Sequence, residues 1–199
     1  MARDATLTRA RLIRAAERRF ARDGVSGARL ADIVRDAGQA NDSAVGYHFG
    51  SRDGLLRVIV ERHLRSMDDE RHLPADGSGL RDLVAAIVEP TAALLRTESG
   101  RDFLQIMEQV SDWSGLGRGR PNPVLTGTVL EAQLVSLGAV LERAVGPALA
   151  RERAALLVTF LTAALAERAR SRDAGRRQRL GHDRFVAHLV DVLTAALAA

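Results

Sequence analysis

The sequence predicts an all-α fold, an N-terminal three-helix helix-turn-helix unit followed by a larger C-terminal helical part. Three observations carry this. Valine, isoleucine and leucine recur at spacings of three and four rather than alternating. No Asn-Gly or Asp-Gly pair joins two β-rich runs. Glycines and small polar residues punctuate the first fifty residues at short intervals, whereas the rest of the chain falls into longer apolar stretches.

The first helix is expected from about Thr8, with Leu12, Ile13, Ala16 and Phe20 on one face, and it stops at Gly24, where a left-handed cap is sterically free. The second, over residues 30–37, buries Leu30, Ile33, Val34 and Ala37 and stops at Gly38. The third lies within residues 41–49, with Asp42 or Ser43 as N-cap, and stops at Gly50. Ser51 then caps a longer fourth helix whose Leu55, Leu56, Ile59, Val60, His63, Leu64 and Met67 repeat at three and four.

The stretch HLPADGSG, residues 72–79, has linker composition. Beyond it, helices are expected over residues 80–97, with Pro90 removing one backbone donor and kinking the helix, and over 101–113. After the loop SGLGRGRPNP come helices over 124–145, 148–172 and 183–198, the last two joined by the arginine-rich turn RDAGRRQRLGHD.

Every one of the 29 basic residues is arginine, yet the formal net charge is only +4, so the whole-chain charge says little about partners. Its distribution says more. Residues 3–22 hold seven arginines against Asp4 and Glu17, an excess able to face an anion or to form a solvated helix face. Cysteine is absent, which excludes disulfides, thiolate metal sites and cysteine nucleophiles and fits a reducing cytoplasm. The first residues do not resemble a signal peptide, and the longest nearly uncharged apolar run, residues 154–166, is shorter than the ~20 residues that span a bilayer. A cytoplasmic location with no membrane contact is expected.

Among the five histidines, none pairs with another at metal spacing on one helix beside a carboxylate, so no metal is expected. The local sequence shows no catalytic constellation, and no enzyme activity or cofactor is expected. GLGRG lacks the strand and the Lys-Ser/Thr of a phosphate loop. RGRP, residues 118–121, matches an AT-hook core only at the level of four letters.

Three helices within fifty residues, the last two parted by a glycine turn, match helix-turn-helix geometry, in which one helix crosses the duplex backbone and the next lies in the major groove. Gln39, Asn41 and Ser43 are short polar side chains able to read base edges. Tyr47 and His48 can reach phosphate oxygens, and Phe49 anchors the short helix to the Phe20 and Ile33 core.

The segment GARLADIVRDAGQANDSAVGYHFGSRDGLL, residues 27–56, resembles the DNA-binding signature of the TetR (tetracycline-repressor-type) family: a helix-2 isoleucine and Ala-Gly, Tyr-His-Phe, then Ser-basic-acidic-x-Leu-Leu. The likeness in residues runs from about Thr8 to Ile59. It implies phosphate contacts at Tyr47, His48 and Arg52, and a recognition helix that includes Asn41, Ser43, Ala44 and Gly46. Three departures stand out. Arg29 occupies the place of a capping threonine and offers a phosphate contact instead; Ala37-Gly38-Gln39-Ala40 replaces Ala-Gly-Val-Ser, with one residue more between Gly38 and Phe49; and Arg52 replaces a lysine.

The resemblance further implies a DNA-binding domain over residues 1–51, a regulatory and dimerisation domain over 52–199, a double-stranded DNA operator and a small-molecule effector. Two half-sites require two copies. The last two helices suit a homodimer, because Leu156, Leu157, Phe160, Leu161 and Leu165 on one, and Phe185, Leu189, Val192, Leu193 and Leu197 on the other, form more than one apolar stripe. For an effector pocket, Pro90, Phe103, Met107 and Trp113 are candidate walls, and His63, Gln105 and Gln109 candidate orienting groups. The expected function is a ligand-responsive transcriptional regulator, a repressor. The contrasting expectation is an all-α ligand-binding or scaffold protein without sequence-specific DNA binding.

Overall fold

Each glycine expected to end one of the first three helices does so with a positive φ: Gly24 at 86°, Gly38 at 69° and Gly50 at 74°. The computed structural model describes residues 2–41, 43–75, 77–110 and 122–199, with side chains from residue 5 onward. The expectations for Asp42, for Trp113 and for the RGRP loop therefore lie outside the described residues.

The elements are α1 (Ala2–Asp23), α2 (Leu30–Asp36), α3 (Ala44–Phe49), α4 (Arg52–Asp68), α5 (Leu80–Ala93), α6 (Glu98–Gln109), α7 (Val129–Val145), α8 (Pro147–Asp173) and α9 (His182–Ala198), with 3-10 turns at Leu94–Arg96 and Pro123–Leu125. No strand occurs among the described residues. The chain is all-α, an N-terminal helix-turn-helix unit with a larger helical part behind it.

Two apolar clusters hold it together. The first gathers Leu12, Phe20, Ile33, Val45, Leu55 and Ile59 with Phe103 and Ile106, so the three short helices are pinned on α4 and α6 rather than standing apart. The second joins Val84, Ile87, Leu141, Leu157, Leu165 and Leu193 from α5, α7, α8 and α9. Each fully buried leucine or isoleucine contributes ~1.5–3 kcal/mol of transfer free energy.

Three helix starts differ from expectation: α1 begins at Ala2 rather than near Thr8, and α6 and α7 shift for a capping reason. Helix α6 begins a turn earlier, because the Thr97 hydroxyl oxygen accepts from the Gly100 amide at 3.0 Å. Helix α7 begins later, capped by Thr128, whose hydroxyl accepts from Glu131 N at 3.1 Å, while Pro123–Leu125 turns separately. Pro90 leaves α5 continuous to Ala93, where it tightens into the 3-10 turn. The proline's missing N–H frees the Ala86 carbonyl four residues back, and that oxygen accepts instead from Gln133 Nε2 at 3.1 Å and Arg71 Nη1 at 3.4 Å.

Candidate nucleic-acid interface and central cavity

Helix α3 is six residues long and is held by its two inward members. Val45 is buried, and Phe49 packs half-buried against the first cluster with the Arg9 guanidinium 5.2 Å from its ring centre. Between them Gly46 and Tyr47 turn outward and His48 is half-buried. Tyr47 is 85% exposed, Gly46 is exposed, and a Cβ added at Gly46 would meet nothing within 4 Å. Tyr47 and His48 lie edge to face with ring centres 5.0 Å apart.

Asn41 and Ser43 are exposed but precede the helix, whose first residue is Ala44. The Asn41 side-chain carbonyl accepts from the Ser43 amide at 2.9 Å, so Asn41 shapes the turn. Gln39 is half-buried and donates to the Gly38 carbonyl at 3.3 Å, and Ala44 is half-buried against the first cluster. Arg29 is the N-cap of α2, exposed, with no side-chain cap bond. Arg52 is partly committed to the protein: its Nη1 donates to the Val25 carbonyl at 2.5 Å and to the Ser26 carbonyl at 3.5 Å, tying the start of α4 to the loop between α1 and α2.

The arginines of α1 divide by their neighbours. Arg19 bolts α1 to α2 through Asp36, at 2.6 Å, and pairs within α1 with Asp23, at 3.1 Å. Arg14 joins Glu17, Glu98 and Asp102, and Arg22 pairs with Asp23. Arg11 and Arg18 remain exposed and line, with Gly38, a shallow cleft beside the turn between α2 and α3. Much of the basic excess read from the sequence is thus spent on holding the helices together.

A cavity of about 110 Å³ lies between α4, α5, α6, α7 and α8. Phe103 and Met107, candidate walls of an effector pocket, line it along with Leu64, Leu134 and Leu161. The other candidate ligand contacts are elsewhere. The Gln105 amide donates to Asp173 at 3.1 Å at the far end of α8. Gln109 accepts from Val25 N at 2.8 Å and donates to the Phe20 carbonyl at 3.3 Å, fastening α6 to the loop after α1. His63 is buried outside the cavity lining, its ring stacked on Phe103. Pro90 lines two outer clefts instead of the cavity.

Sequence reading passed over three buried polar residues. Glu17, four after Ile13 and three before Phe20, is fully buried and receives His63 Nε2 at 3.1 Å and the Ser99 hydroxyl at 2.9 Å. Burial pushes its carboxyl up, but the hydrogen bonds from His63 and Ser99 and the charge of Arg62 outweigh this and hold it below its ordinary value. Gln133, spaced three after Leu130 and four before Leu137, is fully buried and donates to His72 and Ala86 carbonyls. Arg71, three residues beyond the end of α4, is buried and donates to Gln133 Oε1 and Thr91 Oγ1, both at 2.9 Å. For Glu17 and Gln133 the position on the 3.6-residue repeat was the available signal.

On α8, Leu157, Leu161 and Leu165 face the second cluster, whereas Leu156 is 64% and Phe160 45% exposed on another side, in line with exposed Leu149. On α9, Leu189, Leu193 and Leu197 are buried within the chain, and Phe185 is half-buried beneath the Arg168 guanidinium, 4.0 Å from its ring centre. Among the described residues, no cluster of His, Asp or Glu is arranged to hold a metal ion, and no helix is long and apolar enough to cross a membrane.

Fold and surface together define an all-α protein that displays a short, pinned helix from an N-terminal helix-turn-helix. No family model matches the chain. Over 92 residues it is 29% identical to the HTH-type transcriptional repressor SCO4008 of Streptomyces coelicolor, a match covering 46% of this chain and 46% of that protein, so the chain spans about half the length of the curated relative it matches. Among solved structures, Salmonella enterica GusR aligns over 96% of both chains at 24% identity with a TM-score of 0.48.

Proposed function

We propose that the protein is a transcriptional regulator, a repressor, that binds a palindromic DNA operator as a homodimer and is released by a small-molecule effector. The single observation that carries this reading is the display of α3: Val45 and Phe49 fix it, and Tyr47, Gly46, Ser43 and Asn41 point away from the protein with no internal packing to explain them. The partial likeness to an HTH-type transcriptional repressor supports the same class.

In this reading residues 1–51 form the reading head and residues 52–199 the regulatory part, a division of labour rather than of packing, since the first apolar cluster crosses it. Asn41, Ser43, Ala44 and Gly46 approach base edges, and Gln39 borders them. Tyr47, His48 and Arg29 contact phosphates, and Arg52 adds charge while bracing the loop after α1. Helices α8 and α9 pair two copies through the outer apolar face that carries Leu156 and Phe160. An effector in the central cavity favours one arrangement of α4 and α6 over another and moves the heads out of register with the half-sites.

Selection of bound sequences from a random duplex pool tests the proposal. A palindrome with half-sites about one helical turn apart is the expected outcome. Binding must also weaken steeply with salt, as phosphate contact demands. Properly folded protein that retains no duplex in dilute buffer would overturn it.

A further inference from the structure

Arg71 carries a buried positive charge that no carboxylate hydrogen-bonds among the described residues. Its Nη1 is used by Gln133 Oε1 at 2.9 Å and by the Ala86 and Ile87 carbonyls at 3.4 and 3.5 Å. Its Nη2 donates to Thr91 Oγ1 at 2.9 Å and otherwise approaches only the thioether of Met67, at 3.8 Å. Its Nε is buried with no partner at all. Four protein oxygens thus hold the guanidinium, and its Nε and Nη2 edge is otherwise left to a sulfur.

That arrangement costs free energy. Burial pushes the Arg71 guanidinium down to about 10, with only the through-space charge of Asp68 opposing the shift. A buried charge is ordinarily paired, and an orphaned buried donor calls for an explanation. The neighbouring cavity supplies one: Arg71 and Met67 both line it, and Arg71 is the only ionisable side chain among its described lining residues. The rest of the wall is made largely of leucine, valine, phenylalanine and methionine.

We infer that the effector is a small hydrophobic carboxylate whose carboxylate group takes the Nε and Nη2 edge of Arg71 in a two-pronged contact while its apolar body fills the cavity. The fork geometry of arginine matches a carboxylate in this way. Methionine is flexible enough for Met67 to withdraw from the edge it covers. An apolar cavity of ~150 Å³ accepts the six carbons of benzene, so about 110 Å³ suits a smaller body of about four carbons, a short straight or branched chain. This inference rests on the effector-released reading above and gives that effector a chemical class.

Calorimetric titration of the full chain at neutral pH with pentanoate and 3-methylbutanoate, each against its neutral amide, tests the inference. The acids are expected to bind at least about tenfold more tightly than pentanamide and 3-methylbutanamide, the effect of a charge-assisted hydrogen bond over a neutral one. Arg71→Gln is expected to erase that preference, and Arg71→Lys, which keeps the charge but not the fork, to reduce it. The comparison of acids with amides on the unaltered protein needs neither variant to fold. Amides binding as tightly as acids, no acid binding at millimolar concentration, or a folded Arg71→Gln that keeps the preference would each overturn the assignment. A panel that fails while the duplex pool yields a palindrome removes only the carboxylate. Acids that bind while no duplex is selected remove the regulator.

Discussion

The His63 ring lies stacked on Phe103, with centres 4.1 Å apart and planes 15° from parallel. Phe103 lines the cavity, and on its other side His63 holds fully buried Glu17 of α1 at 3.1 Å. One imidazole therefore joins the cavity wall on α6 to the first helix of the head. Since Glu17 is held ionised, His63 Nε2 must be the donor and the carboxylate the acceptor.

Replacing His63 by phenylalanine preserves the stack but removes one of the donors to a buried carboxylate, leaving Ser99 and Arg14. Loss of a buried hydrogen bond to a charged group costs ~1–3 kcal/mol. The urea midpoint of His63→Phe should fall by a corresponding amount with the slope unchanged; an unaltered midpoint would show that the contact carries no stability.

Glu17 also sets a sign for acid sensitivity. Its folded pKa lies below the ordinary 4.5, so the stabilisation it contributes is fully present above that value and disappears as pH falls through the lower folded one. Asp102, which burial pushes up despite the bond from Arg14, acts in the opposite sense, so the whole-protein acid profile mixes the two. Comparing the wild type with Glu17→Gln isolates the first. The stability difference between them is expected to be constant above about pH 4.5 and to shrink in more acid solution. A difference that grows on acidification would contradict the assigned direction.

Two glycines separate the fold of the head from its proposed use. A Cβ at Gly54 would come within 2.0 Å of the Phe49 carbonyl oxygen, a backbone atom that cannot step aside, so α4 can leave α3 at this angle only with glycine there. Gly54→Ala is expected to destabilise by about 1–3 kcal/mol, the cost of overpacking. A Cβ at Gly46 meets nothing, and alanine inside a helix is worth about 0.5–1 kcal/mol over glycine. Gly46→Ala should therefore melt no lower than wild type and yet bind operator less tightly. Full operator affinity in that variant would move the interface away from α3.

What the sequence made legible, and what it hid, divides along range. The short helices were readable because their punctuation is local: a glycine with positive φ after each, and Ser51, whose hydroxyl accepts from Gly54 N at 3.0 Å, before α4. The displayed positions of Tyr47 and Gly46 follow from the same local pattern. The ligand contacts failed to assemble around Gln105 and Gln109 because those amides are claimed by Asp173 and by the loop after α1, partners 68 and 84 residues away. The Arg71 site was hidden for the same reason. Its two closest partners, Gln133 and Thr91, come from separate helices, and the vacant Ala86 carbonyl that completes it is a consequence of Pro90, noted in the sequence only as a kink.

Within the interface, side chains of different roles should fail differently. Tyr47→Phe removes one exposed hydroxyl and leaves the ring, so its loss should weaken every duplex by a similar factor if it grips phosphate. Ser43→Ala should alter preference among sequences instead, because base-edge contacts carry the information. Repeating the pool selection with each variant checks both; a changed motif from Tyr47→Phe would exchange the two roles.

The exposed side of α8 yields the last expectation. The inner face of α8 buries Leu157, Leu161 and Leu165, and the proposed pairing of two copies would cover Leu156 and Phe160, exposed in line on its outer one. Light scattering at micromolar concentration should give twice the 21.5 kDa mass of the chain. Leu156→Glu combined with Phe160→Glu places like charges at the centre of a two-fold contact, where each copy meets the other, and should return the mass to that of one chain. Because both positions are exposed within the chain, the helical content should persist and any cost to the isolated fold should be small. Operator affinity should fall with the dimer, since one head reaches one half-site. A double variant that stays dimeric would place the contact on another face, and a wild type that is already monomeric would remove the two-headed mechanism altogether.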